Sequence, residues 1–250
     1  MRRDSLRLLY DVGTGITCKA AKPAPQLDAL RHPEDQFKMS SVSIFDENYL
    51  QYDSWFDENT AVFQAEVLAL KALLPNCGKA LEVGAGTGRF GVALELRYAV
   101  EPSRNMALIA KSRGIAVCQA LGESLPFPRE SFDCVLLITV LCFVENERSL
   151  LAECHRVIKP QGHVLIGMID PKSQLGAIYE TRKAINIFYR AASFQSIGHT
   201  ISLLKDAGFE VTNRAQTIFG MPYQTPGWDD IKCGSGGGAF VGLLARKLDA

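Results

Sequence analysis

The sequence predicts an α/β fold built on a mostly parallel sheet with helices on both faces, and three observations carry that prediction. Residues 80–90, ALEVGAGTGRF, run from an apolar strand-like stretch into glycines at 84, 86 and 88. Short apolar runs then alternate with helix-periodic stretches to the C-terminus, the pattern of a sheet whose crossovers are helices. A second apolar run, YAVEPS at 98–103, contains the acidic Glu101 at its end. A strand-to-glycine-loop-to-helix corner is where an open parallel α/β sheet binds nucleotides, and a carboxylate closing the second strand can accept both ribose hydroxyls.

Each element follows in order. Residues 1–38 show no sustained period and no apolar signal-peptide core, and are expected to be an N-terminal extension, either loosely ordered or upstream of a start at Met39. A transit peptide is the third reading of that stretch, with Asp4 and Asp11 among Arg2, Arg3 and Arg7 arguing against it. Residues 45–75 read as helices ahead of the first strand and carry Tyr49, Tyr52, Trp55 and Phe56. Ala80, Leu81 and Val83 suit a strand buried on both faces, and the glycines let the chain turn sharply and bring bare backbone against a ligand. Ser103 caps a helix whose apolar positions Met106, Leu108, Ile109 and Ala110 lead to Gly114, and 115–119 reads as the third strand. The run CVLLITVLCFV, 134–144, is the central fourth strand and its exit loop.

Residues 146–169 give a helix with Leu150, Leu151, Val157 and Ile158, a turn with Pro160 and Gly162, and a fifth strand. An amphipathic cover helix is expected over 170–194. Residues 196–207 form a helix ended by Gly208, and 209–220 and 239–248 are the sixth and seventh strands. CGSGGG, 233–238, lacks the flanking strand and helix of a phosphate loop and reads as a flexible approach to the last strand.

With 250 residues, 47% of them apolar, the chain can bury a substantial core. Lys plus Arg and Asp plus Glu are equal at 27 each, so no global positive field draws in nucleic acid or an anionic membrane. No apolar stretch approaches the roughly 20 residues that span a bilayer. The seven cysteines are scattered without a CxxC pair and read as reduced thiols of a cytoplasmic protein. The four histidines show no metal-ligand spacing, and no metal is expected.

The GxGxG spacing with Glu82 two residues ahead, Glu101 after the second strand, and LPFPRESFD at 125–133 resemble the class I S-adenosylmethionine (SAM) methyltransferases. The resemblance is closest to the branch holding ubiquinone and menaquinone biosynthesis C-methyltransferases and many small-molecule methyltransferases. It covers roughly 45–247 and is most specific over 80–170. It implies a Rossmann-like sheet of seven strands with helices on both faces, the last strand antiparallel between the fifth and sixth. It divides 39–250 into a helical lid (39–75), a SAM-binding core (76–170), a substrate-covering insertion (171–195) and closing helix and strands (196–250).

The resemblance also implies a site. Backbone at Gly84, Ala85, Gly86 and Gly88 lies against the methionine and ribose of SAM, Glu82 fixes the loop or meets the methionine amine, and Glu101 takes the ribose hydroxyls. Met106 and Pro102 contact the adenine. Many relatives place an aspartate four residues before the leucine of LPF, where this chain has Leu121; adenine recognition then falls to backbone at Leu121 and Gly122, or to Glu123. Thr139 at the exit of the fourth strand and Tyr52 in the lid are further cofactor contacts, and Tyr49, Trp55, Cys142, Tyr179 and Tyr189 are candidates for the acceptor.

The expected activity is methyl transfer from SAM to a small molecule, with no nucleic-acid partner. The fourth-strand exit, TVLCFV, has neither the polar-Pro-Pro-aromatic motif of amino-methylating nucleic-acid enzymes nor the Pro-Cys of cytosine C5 methyltransferases. Cys142 reads as a small packing residue. No catalytic base is identifiable, which leaves room for a SAM-binding regulator without turnover. An NAD(P)-dependent oxidoreductase would want GxGxxG instead. The acceptor, the methylated atom and the oligomeric state are not encoded in any motif.

Overall fold

The structure, a computed structural model, describes residues 41–249; the expectations for 1–38 and for a start at Met39 lie outside the described residues. Eight strands form one sheet: β1 Ala80–Val83, β2 Tyr98–Val100, β3 Ala116–Cys118, β4 Phe132–Ile138, β5 Ile158–Ile169, β6 Phe209–Phe219, β7 Lys232–Cys233 and β8 Gly238–Lys247. Their spatial order is β3-β2-β1-β4-β5-β8-β6-β7. The first five are mutually parallel, and β8 runs antiparallel between β5 and β6 as expected for the last strand. Side chains alternate across the pleat. In β4, Val135 and Leu137 enter one apolar core while Cys134, Leu136 and Ile138 enter the other, so the strand is apolar from Cys134 onward because both of its faces are covered there.

Four details differ from the sequence reading. The segment read as a flexible approach begins at Cys233 inside β7, a two-residue edge strand. Beyond it, the side chain of Gln216 accepts from the amides of Gly237 and Gly238 at 2.9 and 2.8 Å, so side-chain hydrogen bonds order glycines that carry no packing groups of their own. Pro160 and Gly162 lie within β5, whose register against β4 shifts between Phe132 and Cys134, so the turn is absorbed as an irregularity of the ladder. The cover segment is not one helix. Helix α7 (Gln174–Thr181) and helix α8 (Ile187–Ala191) are separated by a 3-10 turn, and Asn186 after that turn starts the second helix by accepting from the Phe188 and Tyr189 amides. Among the cysteines, 77, 134, 142, 154 and 233 are free thiols, whereas Cys118 is disulfide-bonded, against the expectation for that residue.

The remaining helices are α1 Ser41–Glu47, α2 Tyr49–Glu58, α3 Thr60–Lys71, α4 Arg89–Ala93, α5 Arg104–Ser112, α6 Glu147–Val157 and α9 Ile197–Asp206. Ser103 caps α5 by accepting from the Met106 amide. Among the described residues no helix is long and apolar enough to cross a membrane, and no cluster of side chains could hold a metal ion.

Charged contacts fasten α1 and α2 over the sheet. The Asp53 carboxylate accepts from Arg89 Nε at 2.9 Å, Arg113 Nη2 at 2.8 Å and Thr87 Oγ1 at 2.6 Å, joining α2 to the glycine loop and to the end of α5. Burial opposes its ionisation, but the bonds from Arg113, Arg89 and Thr87 outweigh burial and hold the carboxyl well below the usual range. Asp46, at the end of α1, accepts from Ser103 Oγ at 2.7 Å and the Asn105 amide at 2.9 Å, at the positive end of α5. Asp53→Ala should leave two guanidinium groups without their shared partner. We expect about 1–3 kcal/mol of lost stability in urea titrations, with faster amide hydrogen exchange in α2 and unchanged protection in β4.

Candidate active site

The site is built at the C-terminal ends of the parallel strands, starting with the loop after β1. The amides of Gly84 and Ala85 donate to the Val100 carbonyl at 2.8 and 3.1 Å, which holds the loop against the end of β2. Gly84 and Gly86 have positive φ, +73° and +55°. A Cβ on Gly86 would lie 3.0 Å from the Tyr52 ring, so only glycine lets the lid tyrosine settle on the loop. The Gly86 amide donates to Glu101 Oε2 at 2.7 Å, and the Ser103 amide to Oε1 at 2.8 Å. Burial raises the Glu101 carboxyl to about 7, and the two amides oppose that rise.

A cavity of about 1480 Å³ opens above these strand ends. It exceeds the roughly 300–1000 Å³ of an ordinary ligand pocket, enough for a cofactor and an acceptor together. Gly84, Gly86, Glu101, Pro102, Met106, Leu121, Gly122, Glu123, Thr139 and Tyr52 line it, as do Trp55, Cys142, Tyr179 and Tyr189. Four of the expected site residues lie outside the lining: Glu82, Ala85, Gly88 and Tyr49. Ala85 packs with Ala99, Ala107 and Ala110. Gly88 starts α4, and a Cβ there would approach Ile115 Cδ1 to 2.8 Å, so its glycine serves the fit of α4 on α5. The Glu82 carboxyl sits beneath the loop, its Oε2 2.8 Å from where a Cβ on Gly91 would stand. Burial, reinforced by the Glu101 charge and opposed by the Gly91 amide, raises it to about 8.

The rest of the cavity lies at the exits of β4 and β5. Thr139 adopts φ +53°, uncommon for a threonine, with its amide donating to the Gly167 carbonyl at 2.8 Å. Its carbonyl accepts weakly from Cys142 Sγ at 3.4 Å. Burial pushes the Cys142 thiol up to about 12, which removes it as a thiolate nucleophile. Phe45 of α1 stacks on Phe188 of α8 at 5.3 Å and meets Tyr52 and Phe143 edge-on at 5.6 and 4.9 Å, forming an aromatic roof. Tyr179 and Tyr189 pair at 4.6 Å between ring centroids. No His, Lys, Arg or Asp is among the described lining residues; the carboxyls there belong to Glu58, Glu66, Glu101, Glu123 and Glu145.

The sequence reading did not single out Phe45, Asp46, Asp53 or Glu66. Glu66 had a signal, since it stands at the i+4 position between Val62 and Leu70 on the core-facing side of α3 and interrupts an apolar stripe. The two aspartates look like ordinary surface acids in sequence, because their partners lie 34 or more residues away.

Comparison with known proteins agrees with this geometry. A family model described as a methyltransferase domain matches residues 81–166. An uncharacterised protein of Methanocaldococcus jannaschii is 42% identical over 207 residues, covering 83% of this chain and 100% of its own. A crystal structure of a SAM-dependent methyltransferase from Thermotoga maritima, described as a possible histamine N-methyltransferase, is 38% identical with a TM-score of 0.79, covering 83% of this chain and 99% of that one. The ubiquinone biosynthesis O-methyltransferase of Pseudomonas syringae is 28% identical over 165 residues, 58% of this chain and 68% of its own. With the glycine loop, the carboxylate after β2 and the antiparallel last strand all in place, the chain belongs to the SAM-dependent methyltransferases, and SAM is its cofactor.

Proposed function

We propose that the enzyme methylates a small molecule enclosed in the roofed cavity, leaving S-adenosylhomocysteine. The observation carrying this reading is the single cavity that runs from Glu101 and the glycine loop to the Tyr179–Tyr189 pair beneath an aromatic roof. A compact acceptor can be enclosed and dried there, whereas a duplex or a protein tail needs an open groove.

The residues fit the cofactor on their own terms. Bare backbone at Gly84 and Gly86 allows close approach, and Glu101 keeps lone pairs free beyond the two amides it accepts, so it can take ribose hydroxyls. Bound SAM supplies an activated methyl on a sulfonium, so the chain's own task is alignment and exclusion of water. Leu121 and Gly122 border the adenine region with backbone and apolar surface. Tyr52 covers the loop, and the lid contacts of Asp46 and Asp53 hold that cover in place.

S-adenosylhomocysteine should raise the melting temperature in thermal-shift assays while NAD does not, and Gly86→Arg should abolish the effect. Glu101→Ala should cost about 2–4 kcal/mol of affinity by calorimetry. Ribose hydroxyls favour the ionised Glu101, whose neighbours Glu82, Asp46 and Tyr52 do not stabilise that charge. S-adenosylhomocysteine affinity should therefore rise with pH through about 7, by roughly tenfold from pH 6 to pH 8, and Glu101→Gln should flatten that profile. With tritiated SAM and a cell extract split by size, label should enter the small-metabolite fraction, and Tyr52→Ala should lower that incorporation roughly tenfold through lost positioning. Label confined to macromolecules would overturn the small-molecule reading.

A further inference from the structure

Glu66 is the group in the cavity that the cofactor leaves unused. It sits in the middle of α3, is only 6% exposed, and lines the same cavity as Tyr179, whose ring packs on the core cluster holding Val62 and Leu70 of that helix. Among the described residues its carboxyl has no hydrogen bond and no ion pair, and burial alone acts on it, raising it to about 8. A buried carboxyl without a partner costs several kcal/mol when ionised, and a purely structural position between Val62 and Leu70 would be better filled by leucine. Its surroundings are aromatic. Besides their own burial, the phenols of Tyr52, Tyr179 and Tyr189 all feel its charge. Tyr179 and Tyr189 also pack ring against ring, 4.6 Å between centroids and tilted by 32°, as one wall.

The charge inventory sets the sign of the ligand. With glutamates and no Lys, Arg, His or Asp among the described lining residues, the cavity repels an anionic acceptor and favours a cationic one. A carboxylate backed by aromatic faces is the combination that binds ammonium groups, through a charge-assisted hydrogen bond and cation–π attraction.

We propose that Glu66 is the acceptor-recognising residue of this methyltransferase and that its acceptor is a small amine, held through its nitrogen against the Glu66 carboxylate beside Tyr179 and Tyr189. The proposal rests on the small-molecule reading given above. It leaves Glu101 and the glycine loop to the cofactor and gives Glu66 a separate ligand.

The test uses matched pairs of probes, benzylamine with benzyl alcohol and 2-phenylethylamine with 2-phenylethanol, titrated into the full chain by calorimetry with and without saturating S-adenosylhomocysteine. In the wild-type protein at least one amine should bind roughly tenfold or more tightly than its alcohol, the ratio expected of one charge-assisted hydrogen bond. Glu66→Gln should lose that preference while keeping wild-type affinity for S-adenosylhomocysteine. Glu66→Leu, which suits the apolar stripe of α3, repeats the comparison if the amide is not tolerated. Equal binding of amines and alcohols by the wild-type protein, or an amine preference that survives in both variants, would overturn the assignment. Failure of the wild-type protein to bind S-adenosylhomocysteine would count instead against the methyl-transfer reading, because the amine preference is also read without it.

Discussion

The site depends on one buried carboxylate. Glu101 accepts from the Gly86 amide with one oxygen and the Ser103 amide with the other, tying the turn after β1 to the turn after β2 and to the start of α5. Two amides do not fully offset its desolvation, and its carboxyl is raised to about 7. A group left in that condition gains from further donors. In the proposed cofactor site a nucleoside ribose would offer two of them beside the glycine loop.

The lid over this corner divides its labour between charge and apolar contact. Asp46 and Asp53 fix where α1 and α2 sit, each at the edge of the cavity where water still reaches and charged pairs lose less to desolvation. Inside that ring of contacts, Phe45, Tyr52, Phe143 and Phe188 close the roof with edge-on and stacked rings. Apolar closure lowers the dielectric of the interior, in keeping with the raised carboxyls of Glu66 and Glu101, which line it. Glu82 bears on the loop from below and Glu101 from the side, while Glu66 lines the cavity from α3.

Much of this was legible in the chain itself. The glycine spacing, the capping Ser103 and the apolar β4 follow from local backbone demands or from periodicity, the antiparallel final strand from the family resemblance, and the sheet has them where the sequence places them. Gly88 is instructive because the same motif that marks the loop also serves packing of α4 on α5, and sequence spacing cannot separate the two uses. The single cover helix expected over 170–194 failed for a local reason as well, since Asn186 is a strong cap in the middle of it.

What the sequence by itself determined is the class of corner, a glycine loop and a carboxylate at the ends of adjacent parallel strands, because φ angles and strand–helix alternation are written in neighbouring residues. The tertiary structure decided which of those residues face the ligand. It turned Glu82, Ala85 and Gly88 away from the cavity, brought Asp53 to Arg89 and Arg113, and put Glu66 of α3 into one cavity with Tyr179 and Tyr189 of the insertion. These are contacts between segments far apart in sequence, and their energies come from burial and charge pairing that exist only once the sheet has brought the segments together.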